Sequence, residues 1–267
     1  MSKFRTVEIS NPAFEQQHLR FLTVKTASLK GRGDICIFVP PGITDLSDLP
    51  VCILLHGVYG SAWSWAFCAG IHLRAKEMME RKEIKPMLIA MPSDGLWGDG
   101  SAYLPHHQLD FEKWIATDVP EVLIESFPQV SEKSPFFIAG LSMGGFGALR
   151  IGAKYNERFK AMAGHSSITM LEQMKLFVEE DLQGYTQNDP TSENVLDTML
   201  KYKDRLPPFR FDCGNTDLLI ADNRLLHQQL QENNIPHLYE EFEGGHEWPY
   251  WEKHVIRTLQ FFDAQMV

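Results

Sequence analysis

Short apolar runs bounded by glycine or proline recur along this chain. They lie at 51–55, 87–91, 136–139 and 209–213, and only the last contains polar residues. Such continuous runs are typical of strands covered on both faces of a parallel sheet. Stretches with helical spacing of apolar residues separate them, at about 71–82, 116–127, 144–155, 221–233 and 250–263. The alternation predicts an α/β fold, with a mostly parallel central sheet and helices on both faces.

The N-terminal part follows a different pattern. Residues 18–27 and 34–39 resemble two strands around a turn at Lys30-Gly31-Arg32-Gly33. This arrangement predicts an antiparallel N-terminal hairpin at the edge of the sheet. A further strand is expected from Phe159 to Ala163, between two of the helical stretches.

Residues 168–207 interrupt the alternation of strands and helices. Apolar side chains at Leu171, Met174 and Phe177 have helical spacing, and a second helical stretch runs to about Tyr202. We expect a small helical cap inserted between two core strands, with an ordinary packed crossover as the alternative. Residues 1–267 are expected to form one α/β domain that includes this cap.

Composition narrows the function classes. The chain is 44% hydrophobic and 22% charged, which is typical of a globular domain and excludes a disordered or coiled-coil chain. A formal net charge of −10 disfavours nucleic acid as a partner. No apolar run approaches the ~20 residues of a membrane span, so no membrane association is expected. The N-terminus lacks a signal-peptide pattern and the four cysteines lack CxxC spacing, which favours a cytoplasmic protein with free thiols. A homo-oligomer is left open.

The strongest chemical signal is Gly140-Leu141-Ser142-Met143-Gly144, between a predicted strand and a predicted helix. This Gly-x-Ser-x-Gly pattern in this context indicates a nucleophile elbow, a sharp turn that raises a serine above the sheet. Glycine is needed around the serine because side chains there would clash with neighbouring elements. Ser142 is therefore the predicted nucleophile.

A serine hydroxyl needs a base, and the base needs an acid that orients it. Asp217 lies in the loop after the run 209–213, where α/β sheets present functional groups. His246 lies in a glycine-containing loop after the last predicted strand. His237 is expected at the opposite end of the sheet and His254 inside a helix. Asp217 and His246 are therefore the predicted partners of Ser142.

An oxyanion hole requires two backbone N–H groups directed at the developing negative charge. The residue after the nucleophile, Met143, supplies one of them. The loop after residues 51–55 contains His56 and Gly57, and its Val58 is the predicted second donor. We expect His56 to orient this loop rather than act as a base. A serine hydrolase of this type needs no cofactor and no metal ion.

Aromatic and histidine side chains near the predicted site suggest a pocket for a flat acyl group or a sugar. The candidates, chosen from the loops that follow the strands, are Trp63, Trp97, Tyr103 and His165. The alternative is that the aromatic residues pack beneath their own loops. Neither the aspartates near Trp97 nor His106-His107 have the spacing of a metal site.

These motifs together resemble a known family. His56-Gly57, Gly140-Leu-Ser-Met-Gly-Gly-Phe-Gly-Ala148, Cys213-Gly-Asn-Thr-Asp217 and Gly244-Gly-His-Glu-Trp248 are similar to the esterase D-like "putative esterase" family of α/β-hydrolases. The segment Gly244 to Trp251 is most similar to its tributyrin, acetylxylan and feruloyl esterase branch.

The resemblance covers roughly residues 20–263 and implies an α/β-hydrolase fold with Ser142, Asp217 and His246 as the triad. It implies a serine carboxylesterase for small acyl or aryl esters, such as acetyl or feruloyl groups on carbohydrates. Two alternatives stay open: a thioesterase of the S-formylglutathione hydrolase type, and an α/β-hydrolase relative that binds a ligand or partner without catalysis.

Overall fold

A nine-stranded sheet forms the centre of the protein, as seen in a computed structural model that describes residues 2–266. In chain order the strands of this sheet and of a separate two-stranded ribbon are β1 (Val7–Ile9), β2 (Leu19–Thr26), β3 (Gly31–Phe38), β4 (Val51–Leu55), β5 (Leu88–Pro92), β6 (Pro105–His106), β7 (Leu109–Asp110), β8 (Phe136–Leu141), β9 (Phe159–His165), β10 (Phe209–Gly214) and β11 (Leu238–Phe242).

The sheet is mostly parallel, as the hydrophobic pattern predicts. Its strand order is β1-β2-β3-β5-β4-β8-β9-β10-β11, and β6 and β7 form the ribbon. The six strands from β5 to β11 in this order run parallel to one another, whereas β1, β2 and β3 pair antiparallel. The carboxyl ends of β4, β8 and β10 therefore meet at one edge of the sheet, where functional loops of such folds lie.

Helices cover both faces of the sheet. They are α1 (Ser64–Ala69), α2 (Ile71–Glu80), α3 (Phe111–Lys113), α4 (Val119–Ser126), α5 (Met143–Lys154), α6 (Val195–Lys201), α7 (Ile220–Glu232) and α8 (Trp248–Asp263), with a π-helical segment at Trp114–Asp118. Side chains of α1, α2 and α8 build the core on one face, and those of α4 to α7 build it on the other. Within residues 2–266, no helix has both the length and the apolar character needed to cross a bilayer.

The N-terminal hairpin forms, but its turn was placed wrongly. The chain turns at 27–30, and β3 already begins at Gly31. A Cβ at Gly33 would lie 2.5 Å from the Trp114 ring, so this glycine makes room for a side chain rather than for a turn. The sequence pattern also missed β1, which pairs with β2 and forms the edge of the sheet.

Residues 168–207 contain shorter helices than the spacing suggests. The first predicted run is a 3-10 helix at Leu171–Leu176, and the second contains α6. Two further 3-10 turns, Leu182–Tyr185 and Pro190–Glu193, lie between them. Buried side chains such as Met174 and Met199 join this segment to the core on the α5 face. The single domain with a cap insertion stays a prediction.

Candidate active site

The turn from β8 into α5 holds Ser142 in a backbone conformation that few side chains adopt. Its φ is 55° and its ψ is −120°, and its N–H donates to the carbonyl of His165 at 2.9 Å. A Cβ at Gly140 would lie 2.2 Å from the Gly144 carbonyl oxygen. A Cβ at Gly144 would lie 2.5 Å from backbone oxygens at the end of β4. Only glycine permits this close approach, which explains the spacing of the motif.

Three side chains from separate loops meet at this turn. Ser142 Oγ lies 3.0 Å from Nε2 of His246. Nδ1 of the same ring lies 3.0 and 3.1 Å from the two carboxylate oxygens of Asp217. A histidine that donates from Nδ1 to the aspartate leaves Nε2 free to accept the serine proton. The three residues predicted from the sequence therefore form one hydrogen-bonded chain.

The electrostatics of Asp217 favour its ionised form. Burial by itself would raise its pKa, because a carboxylate loses hydration in the interior. The hydrogen bond and charge of His246, together with the Leu219 N–H at 2.9 Å, hold the pKa below its ordinary value. An ionised Asp217 can orient His246 and stabilise its protonated form.

Two backbone N–H groups are free beside Ser142. Within residues 2–266, neither Val58 nor Met143 donates its N–H to a hydrogen-bond acceptor. A Cβ at Gly57 would lie 3.2 Å from the Cβ of Ser142, so the loop after β4 runs directly beside the serine. His56 holds this loop: its Nδ1 lies 2.7 Å from the Gly57 carbonyl and its Nε2 accepts the Asp94 N–H.

Comparison with known proteins places this chain in a family. A family model described as "Putative esterase" matches residues 26–262. The chain belongs to this esterase family. An acetyl esterase from Caldicellulosiruptor saccharolyticus is 28% identical over 235 residues, which cover 81% of this chain and 84% of that protein.

Solved structures show the same fold. A ferulic acid esterase superposes with a TM-score of 0.80 at 20% identity, covering 98% of this chain and 99% of its own. An S-formylglutathione hydrolase from Staphylococcus aureus superposes with a TM-score of 0.77 at 18% identity, covering 95% and 98% of the two chains. The protein is thus a carboxylic ester hydrolase with the α/β-hydrolase fold.

Two of the four pocket residues predicted for this esterase are wrong. Tyr103 and His165 are fully buried. The Tyr103 hydroxyl donates to the His56 carbonyl at 3.1 Å, and the His165 ring is bonded within the core on the α8 face. Tyr103 lies in the loop after β5 and His165 is the last residue of β9, but both side chains point into the protein. A position at the end of a strand or in the loop after it does not decide the direction of a side chain.

The other two pocket candidates have different environments. Trp63 is 49% exposed at the start of α1. Trp97 is partly buried and stacks on His107 with ring centroids 4.5 Å apart. His106 meets Trp97 edge-on, with ring centroids 5.5 Å apart. Trp97 therefore packs its own loop, as the alternative interpretation held, and Trp63 stays a candidate for substrate contact.

The sequence did not reveal the two rings that enclose His246. Phe177 stacks on the imidazole with centroids 5.2 Å apart, and Trp251 meets it edge-on at 5.0 Å. The Phe177 carbonyl also accepts the Tyr59 hydroxyl, which ties residues 168–207 to the loop after β4. Phe177 is one apolar position in a helical pattern, so nothing in the sequence distinguishes it from a core residue.

A second contact holds the same segment in place. The Asp99 N–H donates to Glu180 at 2.6 Å, and the Glu179 N–H donates to the Asp99 carboxylate at 3.0 Å. These bonds join the segment that carries Phe177 to the loop after β5. The segment thus forms one wall of the site over His246.

Proposed function

We propose that this esterase is a serine carboxylesterase in which Ser142 is the nucleophile, His246 the base and Asp217 the orienting acid. The observation that supports this role is the hydrogen-bonded chain from Asp217 through His246 to Ser142, with every link between 3.0 and 3.1 Å. A serine at the elbow without this chain would be a weak nucleophile.

The reaction follows from the geometry. Nε2 of His246 takes the proton of Ser142 as Oγ attacks the ester carbonyl carbon. The N–H groups of Val58 and Met143 donate to the resulting oxyanion. The carbon–oxygen bond to the alcohol then breaks, and the alcohol leaves with the proton from His246. Water repeats the sequence on the acyl-enzyme and releases the acid, so no cofactor is consumed.

The proposed substrate is a small acyl or aryl ester, of the kind carried by acetylated or feruloylated carbohydrates. Ser142 is only 1% exposed, and Phe177 and Trp251 pack around His246. Such an enclosed serine favours a short or flat acyl group. The acetyl esterase from Caldicellulosiruptor saccharolyticus supports the same substrate class.

A thioesterase of the S-formylglutathione hydrolase type is the second candidate. The structural likeness to the Staphylococcus aureus protein favours it, since 95% of the chain superposes. The same serine, histidine and aspartate would attack a thioester. Only the leaving group distinguishes the two reactions.

The test compares p-nitrophenyl acetate, butyrate, octanoate and a ferulate ester with S-formylglutathione. We expect the highest kcat/KM on the acetate or the ferulate ester. Ser142→Ala should lower kcat by at least ~10⁴-fold, because triad residues act as a unit. The matched control is Ser134→Ala, which removes a buried serine at the opposite end of β8 and should leave kcat unchanged.

Each outcome decides between specific alternatives. A preference for S-formylglutathione that vanishes in Ser142→Ala would establish the thioesterase and overturn the oxygen-ester proposal. Activity that survives Ser142→Ala would contradict the triad itself. Absence of hydrolysis on all five substrates would favour a protein that only binds a ligand.

A further inference from the structure

A cluster of buried polar side chains lies directly behind the three proposed catalytic residues, on the α8 face of the sheet. Each member is 3% exposed or less, and together they come from β9, β10 and α8. The cluster, here named the polar hub, comprises His165, Arg210, Asp212, Tyr250 and Thr258. Five polar groups in an otherwise apolar core need full pairing to be tolerated.

Asp212 is the centre of the polar hub. Its Oδ1 accepts the Tyr250 hydroxyl at 2.9 Å, and both carboxylate oxygens lie 3.0 Å from Nδ1 of His165. Arg210 lies 2.8 Å from Oδ2. Burial would raise the pKa of Asp212, but these three donors hold it below its ordinary value. The carboxylate is therefore ionised, accepts hydrogen bonds from β9 and α8, and forms an ion pair with Arg210 on its own strand.

The remaining bonds of the polar hub meet at Thr258. Arg210 donates to the Thr258 hydroxyl oxygen at 2.8 Å, and that oxygen lies 3.0 Å from Nε2 of His165. Because Thr258 accepts from the guanidinium, its own proton is available for Nε2. In this arrangement the His165 ring donates from Nδ1 to Asp212. A buried network of hydrogen bonds and ion pairs of this kind rigidifies the elements that it joins.

Two of the joined elements support the nucleophile and the acid. The backbone carbonyl of His165 accepts the Ser142 N–H at 2.9 Å, so the end of β9 supports the strained turn. The backbone carbonyl of Asp212 accepts the Ser166 N–H at 2.7 Å. The Ser166 hydroxyl in turn lies beside Asp217 and contributes to its lowered pKa. Asp212 itself is on β10, the strand that leads into the Asp217 loop.

The third element, α8, follows the loop that presents the base. Tyr250 stands in the first turn of α8, shortly after His246. A Cβ at Gly244 would lie 2.8 Å from the Tyr250 ring, so the loop that presents His246 packs against this tyrosine. The hydrogen bond from Tyr250 to Asp212 therefore fixes the position of the His246 loop relative to β10.

We propose that Asp212 is a positioning residue that sets the relative placement of Ser142, Asp217 and His246 through His165 and Tyr250. The inference rests on the proposed catalytic roles. Replacing a buried ion pair by apolar groups is often neutral for stability, so stability alone gives little reason for this network. Catalysis does give a reason for the network, since a misplacement of the reacting groups by about 1 Å can cost up to ~10²-fold in rate.

The test removes single hydroxyl groups of the polar hub. Tyr250→Phe and Thr258→Val should each lower kcat for p-nitrophenyl acetate about tenfold, with KM within about twofold. Asp212→Asn should lower kcat further. The fraction of protein titrated by a serine-reactive fluorophosphonate, and the Tm, are measured in parallel. The matched control is Tyr155→Phe, which removes a tyrosine hydroxyl bonded at 3.1 Å to the buried Glu112 beyond the far end of α5.

The outcomes separate the hub from the triad. If Tyr155→Phe lowers the Tm as much as Tyr250→Phe but keeps its kcat, the positioning role is supported. If Tyr250→Phe and Thr258→Val keep the wild-type kcat, the proposal is overturned, whether or not Asp212→Asn folds. Ser142→Ala is assayed beside them: activity that persists there contradicts the proposed function instead.

Discussion

At the scale of single residues, His254 is a buried base without a partner. It is 2% exposed, and its ring stacks on Phe242 with centroids 4.2 Å apart and planes 8° apart. Within residues 2–266, neither ring nitrogen has a hydrogen-bond partner. Burial lowers the pKa of His254 to about 4, although the charge of Asp212 opposes this shift, and the charges of Lys253 and Arg257 add to it. The folded protein therefore resists protonation of this ring.

Replacement of His254 should change the pH dependence of stability. Between its ordinary pKa of 6.5 and the folded value of about 4, the unfolded chain binds a proton that the folded chain does not. Stability is thus lost as the pH falls through this window. Urea unfolding of His254→Phe should show a gain at pH 7.5 and a gain about 2 kcal/mol larger at pH 5. His254→Gln should lose the pH slope without the constant gain, and an unchanged slope in both variants would contradict the assignment.

At the scale of elements, the elbow depends on backbone contact between segments far apart in sequence. Gly144, near the start of α5, packs against carbonyl oxygens of Leu55 and His56 at the end of β4. A methyl group there would meet backbone, which cannot rotate away as a side chain can. The packing of α5 against β4 therefore requires glycine in the motif as much as the conformation of the turn does.

A methyl group at Gly144 should prevent this packing. Gly144→Ala is expected to destabilise the fold by about 2–4 kcal/mol and to abolish ester hydrolysis, because the turn must shift. Thermal unfolding and kcat are measured together. The comparison variant is Gly245→Ala, whose new Cβ would lie no closer than 3.6 Å to Thr216 and should leave stability within about 0.5 kcal/mol. Normal activity in Gly144→Ala would disprove the requirement.

At the scale of the whole molecule, the sheet and its two helical layers exclude solvent from three of the four cysteine thiols. All four cysteines are free, and Cys36, Cys52 and Cys213 are buried in the strands. Burial raises the pKa of Cys36 to about 12 and the pKa values of Cys52 and Cys213 still further. Cys68 on α1 is exposed. Reactivity toward thiol reagents thus reports directly on the integrity of the core.

Titration with a disulfide reagent at pH 8 should detect one thiol in the folded protein and four after denaturation in urea. The reason is that only a thiolate reacts, and the buried thiols neither ionise nor meet the reagent. In Cys68→Ser the native reaction should disappear while three thiols remain in urea. Rapid reaction of more than one thiol in the native wild type would show that the core opens on the timescale of the assay.

Local pattern alone accounts for most of the strands and helices and for the choice of Ser142, Asp217 and His246. Buried parallel strands need continuous apolar runs, and the elbow needs glycines at set positions. Both features can therefore be recognised from residues that are adjacent in sequence. The hairpin turn was misplaced because Gly33 serves the distant Trp114 ring, a contact that no local pattern contains.

What the chain order cannot determine is the direction in which a side chain points and what it meets there. Tyr103 in the loop after β5 and His165 at the end of β9 both turn inward, and Phe177 reaches His246 from a distant segment. The polar hub likewise unites three elements that only tertiary packing brings together. The sequence therefore determined which elements and reactive groups the protein has, because these depend on local backbone and burial. The tertiary structure decided the surroundings of those groups, because packing contacts are made between residues far apart along the chain.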